Sequence, residues 1–209
     1  MKKYFSTKNI VTIAIFIALT TAATIVVKIP MLATEGYVNV GDTVVMFSAV
    51  LFGPVPGFLI GGIGSCLADL ISGYPHWILP TFIIKGVEGF LVGILFLLFK
   101  KTRINRYVSS VIVSVIGGGV MVAGYFVASW IMKGSATVAF TSVPGNCMQW
   151  LFSVILSTLL IVAVEKTGIL RKTKIENNFS IPKPAVKSSE SSVEETKPEQ
   201  NDTTRDGAE

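Results

Sequence analysis

The chain has 209 residues, of which 51% are hydrophobic and only 15% charged, and its mean hydropathy is +0.64. That leaves too little polar surface to cover a soluble globule of this size, and it assigns the chain to a lipid bilayer. The net charge of +5 does not mark a nucleic-acid binder, because the Lys and Arg residues flank apolar segments and form no basic recognition helix or aromatic-basic surface.

From the N-terminus, Met1-Lys2-Lys3 has the charge of a signal-peptide n-region, but the apolar run over 10–29 has the length of a spanning helix. A first helix is therefore predicted over about 9–29. A shorter apolar run follows at 43–53 and would rise only about 16 Å as a helix, roughly half the hydrocarbon thickness. It must be short, extended by Gly41-Asp42, or sheltered by neighbours. Phe52-Gly53-Pro54-Val55-Pro56-Gly57 reads as a turn leading into a Gly-rich third helix at 56–72. Three further spans, at 79–99, 107–132 and 144–165, are bounded by charge, Gly or Pro.

Residues 177–209 are rich in Ser, Thr, Glu, Lys and Pro without a hydrophobic period, and are expected to form a disordered cytoplasmic tail. Residues 1–176 carry 14 Lys/Arg against 6 Asp/Glu, net +8, whereas the tail carries 4 against 7, net −3. The basic balance thus belongs to the membrane domain. The predicted fold class is all-α: an integral membrane bundle of six transmembrane helices in residues 1–176, followed by the tail.

Charge placement tests the helix count independently, since Lys and Arg accumulate on cytoplasmic loops. Lys2, Lys3 and Lys8 precede the first helix; Lys100, Lys101, Arg103 and Arg106 join the fourth and fifth; Arg171, Lys172 and Lys174 follow the sixth. All three clusters fall on one side only with six helices, N-in and C-in.

No nucleotide motif survives, for G-x-x-x-x-G-K-[ST] is missing and Gly61-Gly62-Ile63-Gly64 lacks the strand and acidic residue of a dinucleotide fold. His76 has no second His or Cys nearby, so neither a metal site nor a cofactor is expected. No nucleophile–base pair marks a catalytic residue. Cys66 and Cys147, both inside apolar stretches, are read as packing residues. Gly57 and Gly61, continued by Ser65, form a GxxxG face that lets another helix approach closely. Ala14, Ala18 and Ala22 make a second small-residue stripe on the first helix. From spacing alone, packing within the bundle is the first reading of that stripe and docking of a partner the second.

Ionisable and amide groups inside spans are costly in hydrocarbon and face a cavity or a partner. Thr81, Lys85 and Glu88 share one face of the fourth helix, and Asn146, Gln149, Trp150 and Ser153 line one face of the sixth. Asp69 lies about one turn from the outer end of the third. The three polar features converge at similar depth in the outer half of the bundle. Simpler roles stand beside this one: Lys85 and Glu88 as a self-neutralising i, i+3 ion pair, and Asn146 and Gln149 as interhelical hydrogen bonds. Trp130, near a helix end, reads as an interfacial anchor. The loop from Pro30 to Asp42, with glycine hinges and Tyr37, is long enough to act as a lid over the mouth or to be a plain connector.

The order of short basic segment, Ala14-x-x-x-Ala18-x-x-x-Ala22, Val40-Gly41-Asp42 and Phe52-Gly53-Pro54-Val55-Pro56-Gly57-Phe58 resembles a substrate-binding S component of an energy-coupling factor (ECF) vitamin transporter. Ala68-Asp69-Leu70-Ile71-Ser72-Gly73-Tyr74-Pro75, followed by Phe82-Ile83-Ile84-Lys85-Gly86-Val87-Glu88-Gly89, is similar to its hydroxymethylpyrimidine/pyridoxine-type branch, which shares a broad family with riboflavin S components. The resemblance covers residues 8–168. It implies a binding protein of a bacterial plasma membrane that captures a vitamin or precursor at its outer face, docks on a transmembrane coupling subunit with two ABC-type ATPases, and topples to release its ligand inside. It also implies that Ala14, Ala18 and Ala22 meet the coupling subunit.

The leading expectation is therefore a non-enzymatic binding subunit for a small, flat, polar heterocycle, stacked by Tyr37 and Trp150 and oriented by hydrogen bonds from Asn39, Glu88, Asn146 and Gln149, with Lys85 on an electronegative ring substituent or on Glu88. The alternative is a solitary secondary transporter in which Glu88 carries a proton alongside the solute.

Overall fold

The computed structural model describes residues 6–102 and 104–166. Lys2, Lys3, Arg103, Arg171, Lys172, Lys174 and the predicted tail lie outside the described residues. The first helix, α1 (Thr7–Val26), ends three residues earlier than the hydropathy predicts. Pro30, which has no amide hydrogen, cannot continue a helix, and the chain instead turns back as a hairpin of β1 (Lys28–Met31) and β2 (Gly36–Asn39). The two strands are antiparallel, with Lys28 opposite Asn39 and Met31 opposite Gly36. The stretch expected to be a lid or a plain connector thus contains paired backbone. Glu35 closes its turn at φ 52°, in the left-handed region.

The helix α2 (Gly41–Phe52) has twelve residues, every one of them buried. At about 1.5 Å per residue it is roughly 18 Å long, well short of a bilayer core. The three alternatives read for this segment apply together: it is short, it starts at Gly41, and α1, α3, α4 and α7 shelter it. The predicted six-residue turn contracts to a single residue. Gly53 takes φ 90°, which only glycine adopts freely, and Pro54 starts α3 (Pro54–Ser72) at the first helical position, where a missing N–H costs nothing.

After α3, Gly73 at φ 81° and a short 3-10 turn (Pro75–Trp77) lead into α4 (Ile78–Phe99). Then come α5 (Arg106–Lys133), a short helix α6 (Ala136–Phe140) where a loop was expected, and α7 (Val143–Lys166). Ser135 caps α6 by accepting from the Val138 N–H at 3.4 Å. Among the described residues, five helical segments are long and apolar enough to cross a membrane: Thr7–Val26, Pro54–Ser72, Pro75–Phe99, Arg106–Lys133 and Ala136–Lys166.

Glycines set the α3–α4 contact. A Cβ on Gly57 would collide with the carbonyl of Gly89, one on Gly89 with the carbonyl of Gly57, and one on Gly61 with the carbonyl of Lys85. The GxxxG face is used, and it brings α4 close enough to hold its polar face against the bundle's middle. On the other side of α3, Gly64 accommodates Thr20, and the Thr21 hydroxyl donates to the Gly64 carbonyl at 2.8 Å, seating α1. Phe16, Phe47 and Phe52 pack as an aromatic group beneath these contacts.

Candidate functional site

One end of the bundle holds a cavity roofed by the β1–β2 hairpin. Its wall is formed by Tyr37 and Asn39 of the hairpin, Asp69 of α3, Thr81 and Lys85 of α4, Tyr125 and Ser129 of α5, Asn146 and Gln149 of α7, and Trp77 of the 3-10 turn, with Thr24, Met31, Thr34, Gly36, Ser65 and Ser142 completing it. The cavity measures about 30 Å³. That is room for about two water molecules at roughly 10–15 Å³ each.

Behind the wall sits an ion cluster. The Lys85 ammonium donates to Asp42 Oδ1 and, at 3.1 Å, to Glu88 Oε2; all three side chains are essentially inaccessible. The i, i+3 pair anticipated on α4 therefore exists, but as two sides of a triad whose third member opens α2. Gln149 ties this cluster to the roof: its Nε2 donates to Asp42 Oδ2 at 2.8 Å while its Oε1 accepts from the Asn39 N–H at 2.7 Å. Asn39 in turn accepts from the Gly41 N–H at 2.8 Å. One amide thereby joins α7, the hairpin and α2.

The second polar centre is Asp69. Its Oδ1 accepts from the Tyr37 hydroxyl at 2.5 Å, and its Oδ2 is buried without a hydrogen bond. Tyr37 packs on Tyr74 with ring centroids 5.0 Å apart, and the Lys28 ammonium lies over both rings at 5.6 and 5.5 Å. Across the cavity Trp77 and Tyr125 meet at 5.7 Å, and the Tyr125 hydroxyl donates to Thr81 Oγ1 at 3.3 Å. The Trp77 indole N–H donates to the Glu35 carbonyl at 3.0 Å, and the Glu35 carboxylate pairs with Lys133 at 3.0 Å. Hydrogen bonding to Lys133 holds the exposed Glu35 carboxyl below its usual range. An exposed pair of this kind adds little stability, but with the indole bond it fixes the hairpin's tip to the bundle.

Of the residues expected to meet a ligand, Tyr37, Asn39, Lys85, Asn146 and Gln149 come together on one wall. Glu88 stands behind Lys85 and reaches the cavity only through it. Trp150 is elsewhere: its indole fills the place where Gly118 of α5 has no side chain, packed on the hydrophobic core. The aromatic partner facing Tyr37's side of the cavity is Trp77 with Tyr125, not Trp150. Asp42, Trp77 and Tyr125 were not selected from the sequence, and Asp69 was noted only for its depth. Ala14, Ala18 and Ala22 are exposed, while Ile13, Thr20 and Thr24 supply the inward face of α1. Packing within the bundle therefore does not use the alanine stripe.

The profile of the family described as ECF-type riboflavin transporter, S component, matches residues 4–166. Among curated relatives, an uncharacterised protein of Pyrococcus woesei is 46% identical over 114 residues, covering 54% of this chain and 73% of that protein. The thiamine precursor transporter HmpT of Lactococcus lactis is 29% identical over 164 residues, covering 78% of this chain and 91% of HmpT. A UPF0397 protein of Vibrio atlanticus is 35% identical over 107 residues, 49% of this chain and 55% of its own length.

Proposed function

The chain belongs to the family of ECF-type riboflavin transporter S components, and on that premise we propose that it captures a small vitamin precursor of the hydroxymethylpyrimidine, pyridoxine or thiamine-related kind in the roofed cavity. It is a vitamin-type substrate-binding subunit of an ECF transporter, and the family is one of transporters rather than enzymes. The observation that carries the choice of site is the cavity itself, where aromatic rings stand beside amide, hydroxyl and carboxylate groups in an otherwise apolar bundle. The likeness to a thiamine precursor transporter favours a small ring over a flavin.

A ring of this class exceeds the present volume, so the hairpin acts as a lid that moves to admit it. Residues 1–176 form the binding domain, with six spans counting α2, both termini on the cytoplasmic side and the tail in the cytoplasm of a cell whose plasma membrane houses the complex. Lys8, Lys100, Lys101, Arg106 and Lys166 gather at the end remote from the cavity, which supports that orientation. Mass spectrometry of ligand carried through purification in mild detergent tests the reading. A pyrimidine or pyridine is the expected mass, and riboflavin would overturn the substrate class while leaving the family standing.

Asn146→Ala is expected to weaken binding about ten- to a hundredfold, because a buried group on the ligand then lacks its partner, a loss of roughly 1–3 kcal/mol. Isothermal titration of the variant against the parent chain measures it, and unchanged affinity would move the site off α7.

The chain works with a transmembrane coupling subunit and two ABC-type ATPases, and α1 is the docking helix. Support comes from Ala14, Ala18 and Ala22 lying exposed on one stripe, where a second helix could approach closely. Ala18→Trp should abolish pull-down of the coupling subunit with ligand titration unchanged. Loss of both together would return the stripe to a role within the fold. Purified chain in proton-gradient liposomes without ATPase is expected to accumulate no solute; accumulation would favour proton-coupled transport by the chain alone.

A further inference from the structure

We infer that the ligand presents a hydrogen-donating, cationic or protonatable nitrogen edge to Asp69, as an aminopyrimidine does, and that this carboxylate selects it over rings edged with carbonyls. The inference rests on the cavity being the vitamin site and names the chemistry the site requires. Asp69 is 3% exposed and lines the cavity; Tyr37 donates to its Oδ1, the Thr81 hydroxyl lies near enough to act on the carboxylate, and Oδ2 accepts no hydrogen bond from the described residues. A buried carboxylate oxygen left without a donor is expensive, and a ligand that supplies the donor recovers that cost on binding.

Neither nearby cation serves Asp69. Lys85 is committed to Asp42 and Glu88, and Lys28 lies over the Tyr37 and Tyr74 rings rather than in an ion pair. Among the described residues Asp69 thus has no ion-pair partner of its own, Lys85 and His76 acting on it only from a distance, and a ligand can bring the charge that pairs it. An exocyclic amine beside a protonated ring nitrogen matches a carboxylate as a guanidinium does, by two parallel N–H···O bonds. The ring then lies between Tyr37 and the Trp77–Tyr125 pair, where its positive charge meets aromatic faces. A carbonyl edge keeps one ring N–H but sets its oxygen against the second carboxylate oxygen, acceptor against acceptor.

The test titrates the full-length chain in detergent with 4-amino-5-hydroxymethyl-2-methylpyrimidine, its 4-oxo counterpart and riboflavin. The amino ring is expected to bind at least about a hundredfold more tightly than the oxo ring, whose carbonyl puts an acceptor where the site pairs the exocyclic N–H. Asp69→Asn should cut that preference to roughly threefold or less, since an amide can face either edge. Equal or tighter binding of the oxo ring or of riboflavin by the parent chain overturns the inference and leaves the S-component reading intact. So does an Asp69→Asn variant that keeps the full preference. Failure of the parent chain to bind any of the three overturns both together. The parent chain's amino-to-oxo ratio decides the matter even if the variant does not fold.

Discussion

Lys85→Met is expected to lower stability by about 3–5 kcal/mol, the usual cost of removing one partner from a buried charge network. The methionine fits the space and suits a spanning helix, so the loss comes from what stays behind. Asp42 would retain Gln149 at 2.8 Å, and Glu88, one of whose oxygens already lacks a partner, would lose its bond to Lys85. Thermal unfolding in detergent should show a midpoint depressed by roughly 10 °C or more. The combined change Asp42→Asn, Lys85→Met and Glu88→Gln removes every charge at once and should regain most of that loss. Both proteins should fail to bind ligand, because Lys85 is the part of the triad that faces the cavity. A single variant as stable as its parent would mean that the ammonium is not what holds the two carboxylates in the bundle.

Gly89→Leu should produce no monodisperse protein at all. Gly57 and Gly89 oppose each other so closely that a side chain on either meets the other's backbone carbonyl, and backbone cannot rotate away as a side chain can. Overpacking a core costs about 1–3 kcal/mol when side chains can yield, and more where they cannot. Separating α3 from α4 would also pull Lys85 from Asp42, since Gly61 packs on the Lys85 carbonyl one turn away. Gly119→Leu is the control: a Cβ there meets only Trp150, at 4.0 Å, and gel filtration should be unchanged. A normal elution profile for Gly89→Leu would show that the two helices tolerate separation.

What the sequence made legible follows from the range of each interaction. Spans and the α3 glycine face are periodic within one helix, so Gly57, Gly61 and the Thr81–Lys85–Glu88 stripe could be read without neighbours. The hairpin could not, because its strands have four residues each and Lys28-Ile29-Pro30-Met31 continues an apolar run that reads as helix. Asp42 looked like a loop residue, although one signal pointed inward: an acid at the head of a helix too short to span is carried to depth with that helix. The Tyr37–Asp69 bond joins residues 32 apart in sequence, and nothing in either local pattern foretells it. Trp150 packs away from the cavity for a related reason. Its position on α7 is periodic with Asn146 and Ser153, but its actual place depends on a glycine of α5.

The short, wholly buried α2 bears on how the chain is made. Twelve residues cannot partition into a bilayer by hydropathy alone, and the backbone at both ends lies at membrane depth, where bare polar groups are tolerated only inside protein. During synthesis α2 emerges before α4 and α7, the helices that cover it. It must therefore wait at the membrane surface, or be inserted as a passenger of α3 across the Gly53 joint, until the rest of the bundle arrives. Gln149, on the last helix to emerge, supplies the amide that joins Asp42 to Asn39. Assembly of the ligand site and completion of the membrane insertion are then the same event, so a chain cut short before Val143 would keep the Lys85–Asp42 pair but lack the amide that ties it to the roof.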